Sequence, residues 1–289
     1  MLAEIRALGF EYAELGHAIR LSLIDGIQRA VAAGEIKIAA VHNFCPLPLG
    51  LNGPSPDYYL PSSPRERERE LMVRHTLRSI DCAASLGAKA VVLHLGLVPM
   101  RNRTARLIEL FADGKAGTPR FERKRAKALL VRDRRRQAPF DNVCRVLDLV
   151  VPRARDAGLK LGLETRLGIE EIPNEDEADE LIRRYGEDVT GYWLDNAHAQ
   201  IKENLGLLRI EPVLERFRGR TLGMHLQDFA PPMFDHLPPG AGKFEFQRLT
   251  PFLTDDMIAT WEVHGDWDPQ QIATETRRVH ELLRRPVAR

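Results

Sequence analysis

Short apolar runs rich in Val, Ile and Leu alternate along the chain with longer amphipathic stretches, the pattern parallel strands make when helices cover their outer faces. Seven such runs stand out: Tyr12 to Gly16, Ile36 to His42, Ala90 to Leu95, Leu159 to Glu164, Gly191 to Asp195, Thr221 to Leu226 and Ile258 to Val263. The stretches between them read as helices. In Ser63 to Leu86, the residues Ser63, Pro64 and Glu66 have the order of a capping box, and Val73, Leu77, Ile80 and Ala84 fall on one face. Gly87 ends that helix, and Gly158 and Gly9 punctuate the chain in the same way before LKLGLE and FEYAEL.

This alternation predicts an α/β fold, a TIM (β/α)8-type barrel spanning 1–289 as a single domain. A closed barrel of this kind has eight strands, whereas the chain opens in what reads as the helix that follows a first strand. The expectation is a barrel lacking its first strand at the N-terminus. A seven-strand variant or an open doubly wound sheet is the other arrangement compatible with the pattern.

Composition narrows the classes. With 44% hydrophobic and 29% charged residues over 289 positions, there is material for a large core and no bias toward disorder. The 42 basic and 41 acidic residues leave a net +1, so no overall field favours nucleic acid or an anionic membrane. The sequence has neither an 18-residue apolar span nor a secretory layout at its start, which predicts a cytoplasmic protein. Cys45, Cys82 and Cys144 are odd in number and not in CxxC spacing, so neither a disulfide framework nor a cysteine zinc site is expected. One segment departs from the average. Between 101 and 136 there are thirteen Lys and Arg against four Asp and Glu, a local +9 that leaves −8 for the rest. It reads as a basic insertion ending in a helix, either a solvated face or an anion-facing lid.

In a parallel barrel the active site lies at the C-terminal ends of the strands, so the residue closing each run carries the information. Those residues are His42, His94, Glu164, Asp195 (with His198 three positions on), His225 and Glu262. Carboxylates and imidazoles at a dry rim carry a desolvation cost that a divalent cation offsets. Glu164, Asp195, His225 and Glu262 are the expected ligands, a mixed O/N set suited to Mn²⁺, Mg²⁺, Co²⁺ or Zn²⁺. The sequence shows no nucleophile motif, Walker loop or dinucleotide fingerprint. Cys45 near His42 lacks an orienting third group and reads as a small buried residue. Trp193 and Trp261 read as packing, and His75 and His280 as helical residues without chemistry.

LGLETR, the DxxH of YWLDNAHA, HLQD, the H-x-x-x-G-x-G at His236 to Gly242, and WEVHG together resemble the xylose isomerase-like barrel superfamily of sugar isomerases, epimerases and endonuclease IV. The resemblance covers nearly the whole chain. It implies a metal held by the last strands and a sugar, sugar phosphate or polyol isomerase or epimerase, with Glu164 and Glu262 as the acid/base pair. It also implies a small sugar-like substrate contacted by His42, His94, Arg166, His198 and His236, with His264 behind Glu262. Arg166 has a salt bridge to Glu170 or Glu171 as its other reading. An endonuclease IV-like phosphodiesterase acting on abasic DNA is the alternative, since eight of nine cluster positions are filled. The ninth, two before His236, is Phe234, and Asp235 stands one residue off. A non-catalytic ligand-binding barrel is a third reading. A strand edge near Tyr12 leaves room for a homo-oligomer.

Overall fold

A computed structural model of the chain describes residues 1–51 and 53–284. Its strands are β1 (Tyr12–Leu15), β2 (Lys37–His42), β3 (Ala90–Leu93), β4 (Lys160–Glu164), β5 (Thr190–Asp195), β6 (Thr221–Leu226), β7 (Asp228–Ala230), β8 (Phe234–Leu237) and β9 (Ile258–Trp261). The helices are α1 (Leu2–Ala7), α2 (Ile24–Ala32), α3 (Glu66–Ser85), α4 (Thr104–Ala112) and α5 (Pro119–Arg135), followed by α6 (Gln137–Asp156), α7 (Glu175–Tyr185), α8 (Asn196–Asn204), α9 (Ile210–Arg216) and α10 (Pro269–Arg284). One sheet runs β1-β2-β3-β4-β5-β6-β9, and β7 and β8 form a separate antiparallel pair. Among the described residues the sheet therefore has seven strands, one fewer than a closed (β/α)8 ring, and each is one of the seven apolar runs. No helix among the described residues is long and apolar enough to cross a membrane.

The chain groups into two compact units. The first comprises Met1–Pro99, Asp133–Glu164 and Glu171–Trp193; the second comprises Met100–Arg132, Thr165–Glu170 and the chain from Leu194 onward. In the first, β1 to β4 pair in parallel, and every residue of β3 is buried. Helices α3 and α6 pack together, with Phe44, Met72 and Val146 at the centre of one cluster. Gly162 sits against the indole of Trp193, where a Cβ would lie 2.7 Å from Cε3, so the close β4–β5 pairing requires a residue without a side chain there. In the second unit β6 and β9 pair in parallel, and Phe244, Phe246 and Trp261 form an edge-to-face series with centroids 5.1 and 5.4 Å apart.

Two local expectations need correction. Helix α3 begins at Glu66 with Arg65 as its N-cap and no side-chain cap; Ser63 Oγ instead accepts from the Arg65 amide and donates to Glu68 at 2.8 Å. A capping box does form at Asn174 and Glu177, at the start of α7. The buried face of α3 is carried by Met72, His75, Thr76, Ser79, Ile80, Cys82 and Ala83, while Val73 and Leu77 are half-buried and Ala84 is exposed; the buried hydroxyls on this face serve the preceding loop. Ser79 Oγ, for example, donates to Asn43 Oδ1 at 2.8 Å and accepts from the Cys45 amide at 3.0 Å.

The basic segment folds as α4 and α5. Several of its cations are paired within it, as in Arg106 with Glu109, Arg125 with Glu122 and Lys115 with Asp113. Others close backbone ends: Arg132 Nε donates to Ile169 O at 2.6 Å and Arg125 Nη1 to Gly206 O at 3.1 Å.

Candidate metal and catalytic site

The strand-end residues fall where the pattern places them. In the first unit, β2 ends on His42, β3 is followed by His94, and β4 ends on Glu164, all three buried. Glu164 Oε2 lies 3.2 Å from His42 Nε2 and 2.9 Å from His94 Nε2. His94 Nδ1 faces Asp57 Oδ1 at 3.1 Å, and His42 Nδ1 faces the Asn43 carbonyl at 3.1 Å. Both nitrogens of each ring thus meet acceptors. The rings of His17 and His94 stand edge-on to that of His42, with centroids 5.4 and 5.0 Å away.

In the second unit, β5 ends on Asp195, β6 carries His225 one residue before its end, and Glu262 follows β9. One ligand atom from each of these three lies within 4.8 Å of those of the other two. Asp195 also caps α8: Oδ1 accepts the His198 amide at 2.8 Å and Oδ2 accepts Gln227 Nε2 at 2.6 Å. His225 Nδ1 is 3.2 Å from Glu262 Oε2. The donors are two carboxylates and one imidazole, the mix that suits Mn²⁺, Co²⁺, Mg²⁺ or Zn²⁺, so the residues present fit a divalent ion. Glu164, the fourth expected ligand, belongs to the first unit, with His42 and His94 on its carboxylate.

A second group of donors in this unit is His198, Asp235 and His236. His198 Nδ1 lies 3.1 Å from the Thr165 carbonyl, and its Nε2 lies 3.7 Å from Asp235 Oδ2. That spacing is too long for a hydrogen bond but is compatible with two ligands around one ion. Asp235 therefore approaches His198 in spite of its one-residue offset.

His236 has φ +54° and stacks on His264, with centroids 3.9 Å apart and planes 20° from parallel. Stacked rings hold their lone pairs in separate planes, so this pair is poorly placed to share one ion and forms a flat wall beside Glu262 instead. Burial, with His236 adding to it, holds the His264 imidazole below its usual pKa. Arg166 is buried, while the Glu170 carboxylate takes the Arg103 amide and the Thr104 hydroxyl, the latter at 2.6 Å.

The sequence pattern did not disclose two further residues, Asp228 and Gln227. Asp228 accepts the amides of Phe229, Gly240, Gly242 and Phe244, each at 2.8 to 2.9 Å, and so shapes the glycine loop behind His236. A Cβ on Gly242 would lie 2.5 Å from Asp228 Oδ1, which explains the glycine. Gln227 bridges Asp195 and the His236 amide. The HLQD run marked both positions, but only backbone directions reveal their partners.

No curated protein matches the chain by sequence. Among solved structures, a 3-keto-D-glucoside 4-epimerase from E. coli (apo form) is 15% identical and aligns over 97% of this chain and 92% of its own, with a TM-score of 0.65. An L-ribulose 3-epimerase is 16% identical over 98% of this chain and 86% of its own, TM-score 0.67. The TTHB071 protein of Thermus thermophilus, soaked with ZnCl2, is 22% identical over 96% of this chain and 90% of its own, TM-score 0.59. At these identities the likeness is one of fold. The model of the xylose isomerase-like TIM barrel family matches residues 2–285, nearly the whole chain, and the chain belongs to that family.

Proposed function

We propose that the chain, acting over 1–289 as one barrel domain, is a metal-dependent epimerase or isomerase of a sugar or related hydroxy-carbonyl compound. The observation that carries this reading is the approach of Asp195, His225 and Glu262 to within 4.8 Å of one another at strand ends. These three hold the ion in this reading, with Glu164 as the fourth ligand expected from the strand-end pattern. Mn²⁺, Mg²⁺, Co²⁺ and Zn²⁺ are the candidates, and a bound ion supplies the positive charge that polarises a carbonyl and its neighbouring hydroxyl.

The chain's own residues do the rest. In this reading the Glu262 carboxylate takes the proton from the carbon next to the carbonyl and a protonated Glu164 gives one to the opposite face, and the reverse reaction exchanges the two roles. His42 and His94, whose ring nitrogens are already engaged, keep Glu164 oriented through its Oε2 and so act on the substrate through that carboxylate. The stacked rings of His236 and His264 give a sugar ring a flat, partly apolar surface, and His198 and Arg166 supply polar contacts. That solved structures of similar fold include a 3-keto-glucoside 4-epimerase and a ribulose 3-epimerase supports a keto sugar as the substrate class.

The test is incubation of the Mn²⁺-loaded protein with a panel of ketoses and keto-glycosides in D2O. Deuterium entering the carbon beside the carbonyl, together with epimer formation, is the expected result. Absence of exchange across the panel, with the metal bound, rejects it. A second reading, an endonuclease IV-like phosphodiesterase, is favoured by one observation, the gathering of His198, Asp235 and His236, which suits a further ion. Cleavage of abasic DNA with three metals per chain would establish it.

A further inference from the structure

We infer that Gln227 is a positioning residue for the metal centre, its side-chain amide fixing the Asp195 carboxylate at one end and seating His236 at the other; the inference rests on the metal reading above. Gln227 follows β6 and is fully buried. Its Nε2 donates to Asp195 Oδ2 at 2.6 Å, and its Oε1 accepts the His236 amide. Its backbone is equally committed: the amide donates to Asn196 Oδ1 at 2.8 Å, and the carbonyl accepts Asn196 Nδ2 at 2.9 Å. Residues 195 and 196 at the end of β5 are thereby latched to residue 227 by three hydrogen bonds.

The two ends of the side chain require an amide. An ionised carboxylate at this position has no hydrogen for Asp195, and an ammonium has no lone pair for the His236 amide. With the His198 amide on Oδ1 and Gln227 on Oδ2, the Asp195 carboxylate cannot turn about its Cβ–Cγ bond without losing both. Partners of this kind orient ligating side chains, and their removal commonly lowers metal affinity about 10- to 100-fold. At the other end, His236 holds the left-handed backbone conformation that a non-glycine residue rarely takes, and Gln227 receives its amide there. One buried amide thus couples a proposed ligand on β5 to the ring that stacks on His264 beside Glu262.

The test measures Mn²⁺ affinity by titration calorimetry and the ligand-field spectrum of bound Co²⁺, in the wild-type protein and in Q227M and Q227N. Methionine keeps the volume without the amide, and asparagine keeps the amide but is one methylene too short. L214A, a buried change on α9, serves as the control for stability alone. The expected result is Mn²⁺ binding weakened about 10- to 100-fold and a shifted Co²⁺ spectrum in both Gln227 variants, with native circular dichroism, while L214A melts earlier and keeps both readouts. Unchanged affinity and spectrum in either folded Gln227 variant overturn the inference and leave the metal reading standing. Loss of the fold in both variants makes the residue structural and overturns it as well. A wild-type protein that binds neither ion overturns the metal reading, and this inference with it.

Discussion

The Glu262 amide donates to the Leu226 carbonyl at 2.9 Å, carrying the β6–β9 ladder one residue past the end of β9. This bond anchors the backbone from which Glu262 Oε2 comes 3.2 Å from His225 Nδ1. The carboxylate proposed to move a proton is therefore placed by sheet register and not by a loop.

Glu262→Gln keeps the shape and one oxygen but cannot accept the substrate proton. We predict a loss in kcat of at least about 100-fold, the usual worth of a positioned base, with native circular dichroism. Deuterium exchange at the substrate carbon is the direct check. Full exchange in that variant removes Glu262 from the acid/base role.

Gly162→Ala puts a methyl into the face of Trp193, and the strand pairing leaves the indole little room to retreat. Overpacking of this kind costs about 1–3 kcal/mol, which thermal or urea denaturation will register. A neutral result means that β4 and β5 are less closely joined than described.

Asp228→Ala strands four backbone amides that now share one carboxylate. Hydrogen bonds to a charged acceptor and their desolvation put the loss on the order of 3 kcal/mol, with the 238–244 loop the first region to exchange its amide hydrogens. Gly242→Ala should disturb the same loop through the clash with Asp228. Hydrogen exchange followed by mass spectrometry separates this local opening from global unfolding.

His75 is buried in α3, stacked on Tyr59 with centroids 5.3 Å apart. Burial, then the nearby Arg78 and Arg74, holds its imidazole below the usual pKa. The unfolded chain therefore binds a proton that the folded chain refuses. The contribution to stability is complete above the unfolded value of about 6.5 and is lost as pH falls below it. His75→Phe, which keeps the stack, should flatten the fall in urea midpoint between about pH 7 and 5.5. An equally steep fall in the variant assigns the acid sensitivity elsewhere.

Much of this architecture was legible because the two periodicities of the chain are clean. Buried parallel strands such as AVVL and KLGLE carry continuous apolar runs that stop at one polar residue, so their ends named His94 and Glu164 directly. The β7–β8 hairpin was missed because DFA and FDHL are too short to show alternation and are joined through two prolines. Ser63 looked like a cap because the residue types fit, yet Glu68, reached by the Leu60 amide and the Ser63 hydroxyl, draws it into the preceding loop. The roles of Asp228 and Gln227, and the Asp57 contact to His94, depend on which way backbone and side-chain dipoles point, and no residue pattern encodes that direction.

The central claim is that Asp195, His225 and Glu262 hold a divalent ion. Its most direct measurement is the metal content of purified protein by elemental analysis after Mn²⁺ loading and desalting, for the wild type and for D195N and H225Q. We expect at least one ion per folded wild-type chain and loss of that ion in both variants. A metal-free wild type, or variants that keep the full wild-type complement, would contradict it.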